Sequence, residues 1–132
     1  MTIATPLVPV QTEAAPTPAG HYAQAIIAGQ QVYISGQLPL RPDGAPLPDQ
    51  RFETQARQAI ANLLAILQAA GATPARLARV TVYIVGVEHW PAFNAIYAQM
   101  LPDARPARTV VPVPELHYGF LVEIDAIAVL AD

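Results

Sequence analysis

The run from Phe120 to Leu130, FLVEIDAIAVL, constrains the chain more than any other segment, because apolar residues occupy both of its alternating positions. In an extended strand Val122, Ile124, Ala126, Ala128 and Leu130 point one way, and Leu121, Glu123, Asp125, Ile127 and Val129 point the other. A strand of this kind belongs inside a sheet whose two faces are both covered. The sequence must therefore supply enough elements to cover them, and it supplies few helices.

Phe52, Ala56, Ala59, Ile60, Leu63, Leu67 and Ala70 recur at helical spacing, and Gly71 follows where a left-handed C-terminal cap is wanted. Pro91 near a helix start precedes a second, shorter stripe of Phe93, Ile96, Tyr97 and Met100. Tyr22 to Ile27 and Gln31 to Ser35 flank the turn-prone pair Ala28-Gly29 and read as a hairpin, with Arg41 to Gln50 as a loop beyond it. Leu77 to Val85 reads as a strand. Thr109 to Val113 and Phe120 to Leu130 read as a second hairpin around Glu115 to Gly119. The expected order is β-β-α-β-α-β-β: an α+β layer of one sheet with two helices on one face. Two helices leave the second apolar face bare, so another copy of the chain is expected to cover it, with Glu123 near the interface.

The length of 132 residues and 53% hydrophobic content suit one domain with a full core. Residues 1–20, with Pro6, Pro9, Pro16 and Pro18, are expected to be an extended or mobile tail, and the folded domain to occupy residues 21–132. Without cysteine there is no disulfide framework, thiol nucleophile or thiolate zinc site, and the three histidines match no metal-ligand spacing, so no metal is expected. The chain opens with no basic segment leading into an apolar one, and no apolar run approaches the roughly 18 residues that cross a bilayer, so a soluble, cytoplasmic protein is expected. The net charge is -3, all seven basic residues are arginines spread from Arg41 to Arg108, and nothing resembles a phosphate-tracking surface. The absence of lysine excludes a Schiff-base mechanism.

Chemistry concentrates on Arg108 and Glu123. A carboxylate in an apolar run is costly unless it meets a cation or donors, and Arg108, on a strand expected to neighbour that of Glu123 or supplied by another subunit, is a natural partner. Asp125, two residues along the same face, is an alternative partner for the arginine. A guanidinium fork reads a planar carboxylate bidentately. A carboxylate in a partly dry cleft can orient water and move protons. Such a pair can also be purely structural.

Six segments resemble the reactive-intermediate deaminase family, also called RidA or YjgF: AGHYAQA (19–25), YISGQLP (33–39), QARQAIANL (55–63), FNAIY (93–97), PART (106–109) and VEIDAIAV (122–129). The resemblance covers roughly residues 19–131. It implies a chorismate-mutase-like α+β fold and a homotrimeric barrel with active sites in clefts between subunits. It also implies cofactor-independent hydrolysis of 2-imino acids, or their enamine tautomers, to 2-keto acids and ammonia. By resemblance Arg108 grips the substrate carboxylate, Glu123 positions or activates water, and Tyr22, Ser35, Gly36 and Asn94 line the cleft. The residues alone also allow Tyr22 as a rim residue, Ser35-Gly36 as a strand end and Asn94 as an exposed helix position. His21, Ala23, Val110 and Asp125 depart from the usual pattern, as does the loop LHYGF (116–120), where His117 and Tyr118 either edge the cleft or sit in an ordinary hairpin loop. A binding or regulatory trimer without turnover is the alternative reading. Nucleic-acid processing is disfavoured by the acidic charge balance.

Overall fold

The computed structural model describes residues 4–131; residues 1–3 of the expected tail and Asp132 of the expected domain lie outside the described residues. Two helices form where the apolar spacing places them. Helix α1 spans Phe52–Ala69 and buries Phe52, Ala56, Ala59, Ile60, Leu63, Ile66 and Leu67. It ends at Gly71, whose φ of +90° lies in the left-handed region that a side chain resists. Helix α2 spans Trp90–Met100 with Pro91 in its first turn, where a missing N–H costs nothing, and buries Phe93, Ile96 and Tyr97. Among the described residues, no helix is long and apolar enough to cross a membrane.

The strands are β1 (Leu7–Val10), β2 (Ala25–Ala28), β3 (Gln31–Gln37), β4 (Leu77–Ile84), β5 (Ala107–Pro112) and β6 (Val122–Val129), in a six-stranded sheet ordered β1-β2-β3-β6-β4-β5. Strands β2 and β3 form the expected hairpin, although β2 begins at Ala25 and ends at Ala28, β3 starts at Gln31 as expected but runs on to Gln37, and the turn falls at Gly29-Gln30. The expected hairpin between β5 and β6 does not form. Strand β5 runs parallel to β4 with α2 as the crossover, and β6 inserts antiparallel between β3 and β4. The segment between them is long enough to step over β4, which it does by pairing at the sheet end: Val113 N–H donates to Ile84 O (2.9 Å) and Val85 N–H to Leu121 O (2.9 Å). The apolar content of β6 on both sides fits this interior position, which turn signals alone do not reveal.

The expected tail also differs. Strand β1 pairs antiparallel with the edge of β2, Val8 opposite Ile27, and both Val10 and Ala15 are buried, so the fold starts well before His21. Pro9 sits within this edge strand, where a missing N–H is tolerated.

The two faces of β6 separate as its parity dictates. Val122, Ile124, Ala126 and Ala128 are buried under the helices with Val80, Val82 and Ile84 of β4. Glu123, Asp125, Ile127 and Val129 are half-buried on the opposite face. Both helices serve one face, and the other stays half-buried and open in the single chain.

Candidate functional site

Four of the residues singled out in the sequence meet where β3 and β6 pair. Tyr22, Ser35, Gly36 and Glu123 line a cleft of about 580 Å³, joined by His117, Tyr118 and the segment Pro16–Gly20. The pairing of β3 with β6 shifts register between Ile34 and Gln37, so Ser35-Gly36 form a bulge, a common device for re-aiming side chains beside a site. Its purpose is steric: a Cβ on Gly36 would stand 2.9 Å from Glu123 Oε2 and 3.1 Å from its Cδ. Only a residue without a side chain lets this carboxylate lie against the β3 backbone. Gly36→Ala is accordingly expected to displace Glu123 and to reduce any Glu123-dependent activity by more than about tenfold, with little loss of stability, because the atoms that must shift are the far end of a flexible, half-buried side chain. Activity and thermal melts measured together test this.

Ser35 lines the cleft, but its hydroxyl donates to Ala23 O (2.7 Å) and serves the strand pairing. Tyr22 is exposed at the rim and its hydroxyl accepts from Ala19 N–H (3.3 Å), closing a turn of the cleft wall.

Three buried amides, unnoticed in the sequence, hold the walls. Gln24 accepts from Thr12 N–H (2.8 Å) and donates to Thr12 O (3.0 Å) and Pro16 O (3.0 Å), fastening the N-terminal segment. On α1, Asn62 donates to Leu38 O (3.1 Å) and Leu40 O (2.8 Å), while Gln55 accepts from Leu121 N–H (2.8 Å) and donates to Gln50 O (3.1 Å). Positions 55 and 62, two turns apart, share one helix face, so α1 ties both loops that flank the cleft. The signal was available: two amides interrupt the apolar face of an otherwise regular amphipathic helix. Asn62→Leu leaves two carbonyls without their donor and is expected to destabilise by about 1–3 kcal/mol, read as a lowered melting temperature.

Arg108 and Asn94 lie elsewhere. They line a separate hollow of about 420 Å³ together with Tyr97, Leu101, Arg105 and Pro106. By register Arg108 stands opposite Val80 and Glu123 opposite Tyr83, which places the two side chains on opposite faces of the sheet, with β4 between their strands. The expectation that they occupy neighbouring strands is thus overturned, and with it any direct pairing inside one chain. The guanidinium of Arg108 instead lies 4.9 Å above the Tyr97 ring, a cation–π contact. Among the described residues Arg108 makes no ion pair, and the buried hydroxyl of Tyr97 has no hydrogen-bond partner. Asp125 is not the arginine's partner either: it accepts from Tyr83 Oη (3.4 Å) on the open face.

Comparison with known proteins places this arrangement. Residues 12–130 match the family model described as endoribonuclease L-PSP. The chain belongs to this family, the YjgF/RidA family. It is 39% identical over 117 residues to a RutC family protein of Pyrococcus horikoshii, covering 89% of this chain and 93% of that one. It is 36% identical over 120 residues to a 2-iminobutanoate/2-iminopropanoate deaminase of Capra hircus, covering 91% and 88% respectively. The structure of a Rid family protein of unknown function from Yersinia pestis superposes with a TM-score of 0.90 at 36% identity, covering 95% of this chain and 100% of that one. The family resemblance carried by the six sequence segments is thus borne out.

Within this RidA-family fold, burial raises the Glu123 carboxyl above its ordinary value, Asp125 adds to the rise and His117 opposes it. Asp125 is raised as well, first by burial, with Tyr83, Arg79 and Thr81 opposing. Burial likewise raises the Tyr97 hydroxyl, with Arg108 opposing. Among the described residues no group of three His, Asp or Glu side chains is placed to hold a metal ion.

Proposed function

We propose that the protein is a hydrolytic deaminase of 2-imino acids and their enamine tautomers, acting in clefts between the subunits of a homotrimer. The observation that carries this reading is the separation of Arg108 from Glu123 on opposite faces of one sheet. A small ligand that needs both must receive them from two copies. The half-buried open face of β6, carrying Glu123, Asp125, Ile127 and Val129, is the surface a second copy would cover. The Capra hircus relative, named as a deaminase, supports the activity. The endoribonuclease description of the family model is less favoured for this chain, whose net charge of -3 and lack of lysine ill suit a polyanion.

In this reading Arg108 holds the substrate carboxylate in a bidentate grip, turning the imine carbon toward Glu123 of the neighbouring copy. Glu123 accepts a proton from water as the water oxygen adds to that carbon and passes it to the imine nitrogen, giving a neutral carbinolamine. Glu123 then takes the proton of the carbinol hydroxyl as the carbonyl forms and delivers it to the nitrogen as the C–N bond breaks, so that ammonia leaves. The carboxylate is restored, and the balance is imino acid plus water to keto acid plus ammonia. An imine is already electrophilic, so positioned water and one acid–base group suffice. The raised Glu123 carboxyl lies nearer neutral pH, where it can take and return a proton efficiently.

The test uses a 2-imino acid generated in place by an amino-acid oxidase, with semicarbazide intercepting what the protein does not divert. Arg108→Ala and Glu123→Gln are each expected to lose about 10²-fold or more of kcat/KM, so that little diversion is seen at limiting substrate. Dissociated and reassembled as an equimolar mixture, they are expected to recover about a quarter of wild-type activity, since random assembly pairs an intact Arg108 with an intact Glu123 at that frequency. No recovery from correctly reassembled oligomers would mean that one chain supplies both groups. Bound keto acid without any diversion by the wild type would favour a binding trimer.

A further inference from the structure

The Glu123 cleft carries more apolar wall than a methyl- or ethyl-substituted imine requires. Its polar groups are largely occupied: the amide of Gln24 is taken up by the N-terminal segment, Ser35 donates to Ala23 O and the Gln37 amide to Ser35 O. What remains facing the space of about 580 Å³ is Glu123 at one side, with Thr17 and His117 as further polar lining, and Pro16, Pro18, Tyr22, Leu38, Leu40 and Tyr118 around it. In the single chain this space is larger than a three- or four-carbon acid fills, before a neighbouring copy contributes its own wall.

Tyr118 is the unusual member of that wall. Its φ of +62° and ψ of 17° lie in the left-handed region, and it is the single non-glycine residue with positive φ among the described residues. It precedes Gly119, itself at φ +72°, so two successive left-handed residues turn the loop and the first carries a bulky side chain in a conformation that side chains resist. The turn leaves Tyr118 70% exposed at the cleft. Two rings fix its direction: Phe120 meets it edge-on at 6.1 Å and His117 lies at 6.2 Å. Gln55, bonded to Leu121 N–H, anchors the loop just beyond them. An aromatic ring held in this way offers a flat apolar face to a ligand at small entropic cost.

We infer that Tyr118 is a specificity-determining residue that fits the Glu123 cleft to imino acids with an aromatic side chain, an inference that rests on the deaminase reading for the reaction but not for the ligand's shape. The ring of such a substrate stacks between Tyr118 and the Tyr22–Leu38 side, while its carboxylate and imine reach the charged groups.

The test pairs turnover with binding. Wild type, Tyr118→Gly, which removes the ring and relieves the backbone, and Tyr118→Asn, which tolerates the same φ, are compared on imines formed from phenylalanine and from 2-aminobutanoate. The products phenylpyruvate and 2-oxobutanoate are titrated calorimetrically against each protein. The wild type is expected to bind phenylpyruvate about tenfold more tightly than 2-oxobutanoate, and both variants to close most of that gap while keeping 2-oxobutanoate affinity within about twofold. The ratio of kcat/KM values for the two imines should fall in parallel. A wild type without phenylpyruvate preference, or variants that retain it, overturns the inference and leaves the deaminase reading untouched. A binding gap that closes in the variants, in a protein that turns over neither imine, upholds the role of Tyr118 and removes the deaminase reading instead.

Discussion

Replacing Glu123 by glutamine is expected to lower kcat on a 2-imino acid by about 10²–10⁴-fold, the usual range for losing an acid–base group, with a much smaller change in KM. The substitution keeps size and hydrogen-bonding capacity but removes the ability to take a proton from water. It also relieves a carboxylate that burial disfavours, so the variant is expected to fold at least as well as the wild type. The pH profile sharpens the test. Burial and Asp125 raise the Glu123 carboxyl above the ordinary glutamate value of 4.5, and catalysis in this scheme starts from the carboxylate. As pH falls through that raised value the base becomes protonated, so kcat/KM should decline on the acid side at a pH above 4.5. The same limb should be missing from whatever activity Glu123→Gln retains. Equal losses in kcat and in substrate affinity would make Glu123 a structural partner of the binding site instead.

Arg108→Ala is expected to cost about 3 kcal/mol of transition-state binding, roughly 10²-fold in kcat/KM, because a charge-assisted bidentate grip on the substrate carboxylate is lost. Much of the loss should appear in KM, since the carboxylate is bound in ground and transition states alike. Arg108→Lys is expected to recover little, as an ammonium cannot reproduce the planar fork. The fold should survive either change: Arg108 makes no ion pair among the described residues, and its contact with the Tyr97 ring is worth only about 0.5–1 kcal/mol at a partly exposed site. Oligomeric state and melting temperature measured beside the kinetics separate a lost grip from a lost assembly. Unchanged kcat/KM in a folded Arg108→Ala oligomer would remove the carboxylate role.

Local periodicity made much of this protein legible. The stripe from Phe52 to Leu67, the glycine stop at Gly71, the proline start of α2 and the two-faced parity of β6 all follow from contacts a few residues apart, and the structure has them. The resemblance segments likewise pointed to Tyr22, Ser35, Gly36 and Glu123, which do meet in one cleft. What local pattern could not decide was pairing. Whether β6 folds back on β5 or crosses to lie between β3 and β4 depends on the sheet as a whole, because both partners offer equivalent backbone groups and the intervening loop permits either. That choice placed β4 between Arg108 and Glu123. Register then put the two side chains on opposite faces, and no sequence spacing between positions 108 and 123 encodes that result. The roles of Gln24, Gln55 and Asn62 were hidden for a similar reason: an amide on an apolar face signals a buried bond, but its partners come from chain segments that only the folded sheet brings within reach. The sequence by itself determined which stretches become helix and strand and which side chains carry chemistry, since both are properties of near neighbours. Only the tertiary structure decided which of those side chains can serve one ligand together, because strand order and register are settled by long-range pairing.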